Sequence, residues 1–172
     1  RLLLWVDLFD PHEPWDPPEP FYSMYDTNYQ GQELIDPIPG PVDGYMTPRE
    51  VQHTAALYAG EVSFVDKWVG VLLAALQRLG LWDDTLVIFT TDHGELLGER
   101  GVIRKARPWS YEEMSHIPLL MRLPGGEAAG TVATGLAQTP DLLPTICSAL
   151  GIEPPAGTSA ALAAACSSAR AR

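Results

Sequence analysis

Between Thr47 and Gly80 apolar residues recur at alternating steps of four and three: Val51, Ala55, Tyr58, Val62, Val65, Val69, Leu72, Leu76 and Leu79. That period holds one continuous stripe on one face of an α-helix. Its start is written as Thr47-Pro48-Arg49-Glu50, an N-cap, a proline at the first helical position and the acid of a capping box. Gly80 marks its end, because glycine tolerates the left-handed conformation that follows a last helical turn. Leu57, Phe64, Trp68 and Leu73 lie off the seam and widen it. A stripe that broad predicts a helix laid on a sheet, not one strand of a coiled coil.

The 172 residues, 46% hydrophobic, can supply one core, so a single domain is expected. Three other apolar runs read as strands: Arg1 to Phe9, Leu86 to Thr91, and Ile117 to Leu123 closed by Pro124-Gly125-Gly126. The second is apolar on both faces, as a strand covered on two sides would be. A last helix begins near Thr139, with Pro140 in its first turn, and runs to Gly151. Between the first strand and the long helix, Asp10 to Met46 is too rich in proline for helix. Trp15, Phe21, Tyr22, Tyr25 and Tyr29 predict that this long connection is packed and ordered. The succession predicts an α/β fold with a largely parallel sheet flanked by helices. Residues 1–155 read as one domain, and 156–172 as a low-complexity tail rich in Ala and Ser with no packing pattern.

A formal net charge of −11 argues against a nucleic-acid or anionic-membrane surface. The opening apolar run is too short to cross a bilayer. Any anionic ligand must therefore be held by a metal or by a few placed cations. Cys147 and Cys166 have no metal-ligand spacing and form no convincing disulfide framework.

In an open α/β sheet, ligands collect beyond the carboxyl ends of the strands. Two strands end in functional-looking residues here, the first at Asp10-Pro11-His12-Glu13-Pro14 and the second at Asp92-His93-Gly94-Glu95. Asp92 and His93 offer a carboxylate oxygen and an imidazole nitrogen, half of a divalent-metal site. Turn or capping chemistry explains such a tripeptide alone more often than a metal does, and single residues such as His12 and Lys105 are ordinary surface features. Glu112 and Glu113 read as the start of a solvated face.

Taken in order, the blocks "DPHEPW", "GLWDDTLVIFTTDHGELLGERG", Lys105, "YEE", "IPLLMRLPG" and "TPDLLPTICSALGI" resemble the later part of the sulfatase catalytic domain, in the alkaline phosphatase superfamily. The resemblance covers about Leu3 to Pro155. It implies a partial alkaline-phosphatase-like domain missing its N-terminal strands, and a hydrolase of sulfate esters. It also implies that Asp92 and His93 are metal ligands, and that Lys105 contacts the sulfate. His12 would meet the substrate on its leaving-group side. The carboxylate of Asp92 suits Ca²⁺, while the imidazole of His93 suits Mn²⁺, Zn²⁺ or Fe²⁺. The resemblance makes Ca²⁺ the expected ion, with Mn²⁺ as the alternative.

Relatives use a formylglycine nucleophile made from Cys or Ser, and acidic residues as their first metal ligands. The resemblance places both upstream of Leu3, so the chain is expected to begin inside a larger protein. Cys166-Ser167-Ser168-Ala169-Arg170 imitates the spacing of the nucleophile motif, but it has Ser where Pro or Ala belongs and follows the metal motif. It is rejected as the nucleophile. Arg100 stands where many relatives carry His, and Thr91 where Ser is common. Hydrolysis of phosphate or phosphonate esters, and a catalytically inactive fragment, remain as competing readings.

Overall fold

The long helix α1 spans Pro48–Arg78. Its capping box is complete: the Thr47 hydroxyl accepts from the Glu50 N–H, and the Glu50 carboxylate accepts from the Thr47 N–H at 2.6 Å. Gly80 follows the helix at φ 67°, the left-handed conformation that stops it. The start and stop legible in the sequence therefore coincide with those of the helix, but the expected stripe is not its buried face: Val62 and Leu79 are 42% and 65% exposed, and its other members are only partly buried.

The computed structural model describes residues 2–105, 108 and 110–158. The expected tail and its Cys166 lie almost wholly outside the described residues. The chain divides into two compact units, Arg1–Gly80 with His93–Ile117, and Leu81–Asp92 with Pro118–Arg172.

In the first unit, α1 buries His53, Thr54, Leu57, Gly60 and Glu61. Its partner is the proline-rich connection. Trp15 and Leu57 are fully buried together with Met46 and Ile103, and Tyr22, Leu34, Ile35, Val42, Val51, Tyr58 and Leu97 pack around them. The aromatic connection is thus packed, and it supplies the helix with much of its apolar counter-surface. Strand β1, Gly40–Pro41, lies antiparallel to β3, Val102–Ile103. A satellite of Leu96, Val102, Tyr111 and Met114 sits under the short helix α2, Glu112–Ser115.

In the second unit, β2, Val87–Thr90, pairs antiparallel with β4, Leu119–Arg122. Arg122 closes this unit by donating to the Trp82 carbonyl at 2.6 Å and stacking over the Trp82 ring. Helix α3, Leu142–Leu150, follows a 3₁₀ turn at Thr139–Asp141 and ends at Gly151 with φ 65°.

Two expectations are corrected. The described residues are mixed α/β, but both strand pairings are antiparallel, where a mainly parallel sheet was expected. Residues 2–9 form no strand, and Leu2, Trp5 and Phe9 stand 84%, 75% and 68% exposed. Apolar periodicity reports that a segment is suited to burial in a sheet. It carries no information about which strand lies alongside or in which direction.

Candidate active site

The site grows from the turn between Leu96 and Ile103. Leu97 bridges to Ile103, the Gly98 N–H donates to the Val102 carbonyl, and Gly101 donates back to Gly98. Gly98 and Gly101 take φ values of 103° and 69°, which a side-chain-bearing residue adopts only with strain. This reversal, with Ile103 anchored in the core, delivers Arg104 and Lys105 to one buried carboxylate, that of Glu13. Arg104 itself sits at φ 65°.

The Glu13 side chain is 1% exposed. Its Oε1 accepts from Arg104 Nε at 2.6 Å, and its Oε2 accepts from Lys105 Nζ at 2.6 Å. Arg104 is itself held by Asp36 at 2.6 Å and by the Pro37 carbonyl at 2.8 Å. Burial pushes the Glu13 carboxyl upward, but the hydrogen bonds from Arg104 and Lys105 outweigh it and hold it at about 2. The carboxylate therefore stays ionised between its two cations.

His12 stands on the same group. Its Nδ1 donates to the Glu13 carbonyl at 2.7 Å and lies 3.2 Å from Glu13 Oε2, while the imidazole packs on Phe9 with ring centroids 4.7 Å apart. Both acceptors can only accept, so Nδ1 carries a hydrogen and the neutral ring has its lone pair on Nε2. His12 and Lys105, far apart in sequence, thus meet around one carboxylate oxygen.

Glu95 completes the cluster. Its Oε2 is 3.7 Å from Lys105 Nζ, and its buried Oε1 has no hydrogen-bond partner among the described residues. Burial, then the negative charge of Glu13, push its carboxyl up to about 7 against the pull of Lys105 and His93.

His93 donates from Nδ1 to the Gly94 carbonyl at 2.8 Å, which leaves Nε2 as the lone-pair nitrogen, the form a metal ligand needs. Thr91 donates to Asp92 Oδ1 at 3.3 Å. Among the described residues, no group of three or more His, Cys, Asp or Glu is arranged to hold a metal. Asp92 and His93 have the donor chemistry for a divalent ion but supply only two side chains. Gly94 is required by a close approach of backbone to backbone. Its N–H donates to the Met114 carbonyl at 2.8 Å, and a Cβ there would overlap the Glu113 carbonyl oxygen.

Arg100, at the tip of the turn, pairs with Glu113 at 2.9 Å and lies over the Tyr111 ring, so Glu113 is a partner of this turn and not a purely solvated face. Sequence reasoning placed Glu13 and Glu95 in the two strand-end stretches without giving either a role, and it missed Arg104. The one available signal was an ionisable residue wedged between His12 and Pro14 immediately before Trp15.

A second polar node lies at the start of α1. The His53 ring places Nδ1 2.9 Å from Asp26 and Nε2 3.1 Å from Glu33, and stacks on Tyr29 with centroids 3.7 Å apart. Arg49 makes a two-pronged contact with the same Asp26 at 2.6 and 2.8 Å.

The family model described as Sulfatase matches residues 2–152. The chain belongs to the sulfatase family. It is 38% identical over 108 residues to the multifunctional alkaline phosphatase superfamily protein PehA of Trinickia caryophylli, covering 62% of this chain and 20% of that protein. With the choline-sulfatase of Rhizobium meliloti (strain 1021) it shares 30% identity over an alignment of 172 residues, covering 87% of this chain and 31% of the relative. The crystal structure of a phosphonate monoester hydrolase of Agrobacterium radiobacter superposes with a TM-score of 0.71 at 28% identity, covering 84% of this chain and 34% of that one. The chain therefore spans about a fifth to a third of the length of these relatives. No helix among the described residues is long and apolar enough to cross a membrane.

Proposed function

We propose that this chain is the later part of a sulfatase catalytic domain and acts in the hydrolysis of sulfate esters of small molecules or glycans. The observation that carries the reading is the meeting of His12 and Lys105 on Glu13. Cleaving a sulfate ester gathers negative charge on the sulfuryl oxygens and on the departing oxygen. The Lys105 ammonium, held in a half-buried cluster, is a fixed positive centre for the first. His12 holds Nδ1 on Glu13, which leaves Nε2 to take up a proton and, in the imidazolium form, deliver it to the second. Asp92 and the Nε2 of His93 would hold a divalent ion, Ca²⁺ in preference to Mn²⁺, whose charge polarises the sulfuryl group. The further ligands and the formylglycine nucleophile belong to sequence outside these residues in this reading, so the 172-residue chain alone is without turnover.

The test is carried out on the holoenzyme with an activated aryl sulfate. Asp92→Ala lowers divalent-metal occupancy, and His12→Ala lowers turnover most on substrates with poor leaving groups. Unchanged metal content, or full activity of the His12 variant, would remove the corresponding residue from the reading. A second reading, hydrolysis of phosphonate or phosphate esters, is favoured by the likeness to the phosphonate monoester hydrolase and by the near-identical shape of sulfate and phosphate. Parallel assay of an aryl sulfate and an aryl phosphonate separates the two.

A further inference from the structure

We propose that Glu13 is the positioning residue of this site, setting the direction of the Lys105 ammonium towards the bound anion; the proposal rests on the role given to Lys105 above. A lysine at the end of a surface turn has four rotatable carbons and no preferred direction. Here Nζ is drawn 2.6 Å from Glu13 Oε2. That oxygen cannot drift, because Oε1 is tied to Arg104, and Arg104 is tied in turn to Asp36 and the Pro37 carbonyl. The neighbouring Trp15 is fully buried and donates its indole N–H to the Pro11 carbonyl at 3.0 Å, so the backbone on either side of Glu13 is fixed as well.

Simple anchoring of residues 10–16 to the end of β3 would not require ions. Apolar side chains of similar volume would do it without desolvating a carboxylate and two cations. What a buried carboxylate adds is direction: it accepts from Lys105 along a defined line and places the ammonium beside His12, whose Nδ1 is 3.2 Å from the same oxygen. Glu95 can take over only weakly, since its nearer oxygen is 3.7 Å from Nζ.

The experiment is a double-mutant cycle in the holoenzyme, reading kcat and KM for one aryl sulfate, with thermal melts of every variant. Glu13→Gln keeps the length of the side chain and removes its charge. It is expected to lower kcat by between about tenfold and a hundredfold, the scale of an ångström's misplacement, with KM changed much less. In a Lys105→Ala background the same substitution should have no further effect on kcat, because there is no ammonium left to direct. Equal losses in both backgrounds would overturn the proposal and leave Glu13 a structural ion-pair partner. A Lys105→Ala enzyme with full turnover would instead overturn the role of Lys105, and the proposal with it. Should Glu13→Gln fail to fold, Glu13→Asp, which keeps the charge and shortens the reach, enters the same cycle with the same two decisive outcomes.

Discussion

Glu13 and Glu61 lie in the same unit and are equally hidden, each 3% exposed, yet they are opposite in character. Glu13 sits on the connection before Trp15 and is held at about 2, while Glu61 sits midway along α1 and is pushed up to about 7. Burial is the largest influence on both and drives both upward. Two cations reverse it at Glu13. At Glu61 burial is joined by the negative charge of Asp10 and, to a smaller degree, of Asp16, with only the Asp16 peptide group pulling the other way. Burial alone therefore makes a carboxyl easier to protonate, and the partners decide whether the chain keeps a charge there.

The largest way to break the contrast is to remove Glu13's anchor. Arg104→Leu leaves a buried carboxylate oxygen unmatched and should destabilise the protein by about 3–5 kcal/mol in denaturant melts at pH 7. A loss below about 1 kcal/mol would mean that Lys105 alone satisfies Glu13. Lys105→Ala comes next. It should lower turnover roughly a hundredfold, and it should also cost stability, unlike a surface lysine, because its partner is buried. Kinetics and melts on the same preparation separate the two effects.

The pH dependence sharpens the contrast further. Glu13 titrates near 2 when folded against an ordinary 4.5, so its contribution is present above about 4.5 and is lost as pH falls through about 2. Glu61 titrates near 7, so its contribution is full below about 4.5 and is lost as pH rises through about 7. Glu61→Gln should therefore match the parent near pH 4.5 and exceed it by roughly 3 kcal/mol at pH 8. Melts across that window that run parallel for the two proteins would show Glu61 to titrate normally. The smallest effect is expected from Asp10→Asn, which removes only the second influence on Glu61. The stability midpoint should move down by less than about one pH unit, a shift of under about 1.4 kcal/mol.

The legibility of the molecule follows the range of the interactions involved. The limits of α1 could be read because capping, apolar period and the stop at Gly80 are settled within a few residues of one another. Gly151 ended α3 for the same reason. Asp92, His93, His12 and Lys105 stood out through the resemblance of several separated blocks, and not through any property of one residue. Glu13 did not stand out, since an acid between His12 and Pro14 is unremarkable until its neighbours in space are known.

By itself, then, the sequence determined the ends of α1 and the stop of α3, the packed character of the connection that holds Trp15, and the chemical types gathered around the site. Only the tertiary structure decided that β2 and β4 run antiparallel, that residues 2–9 lie exposed, and that Arg104 and Lys105 close on Glu13 while Glu61 meets no cation among the described residues. Local hydrogen bonds and side-chain periods are encoded between near neighbours along the chain. Pairing direction, desolvation and ion pairing depend on which distant segments the fold brings within a few ångströms, and no residue carries that information alone.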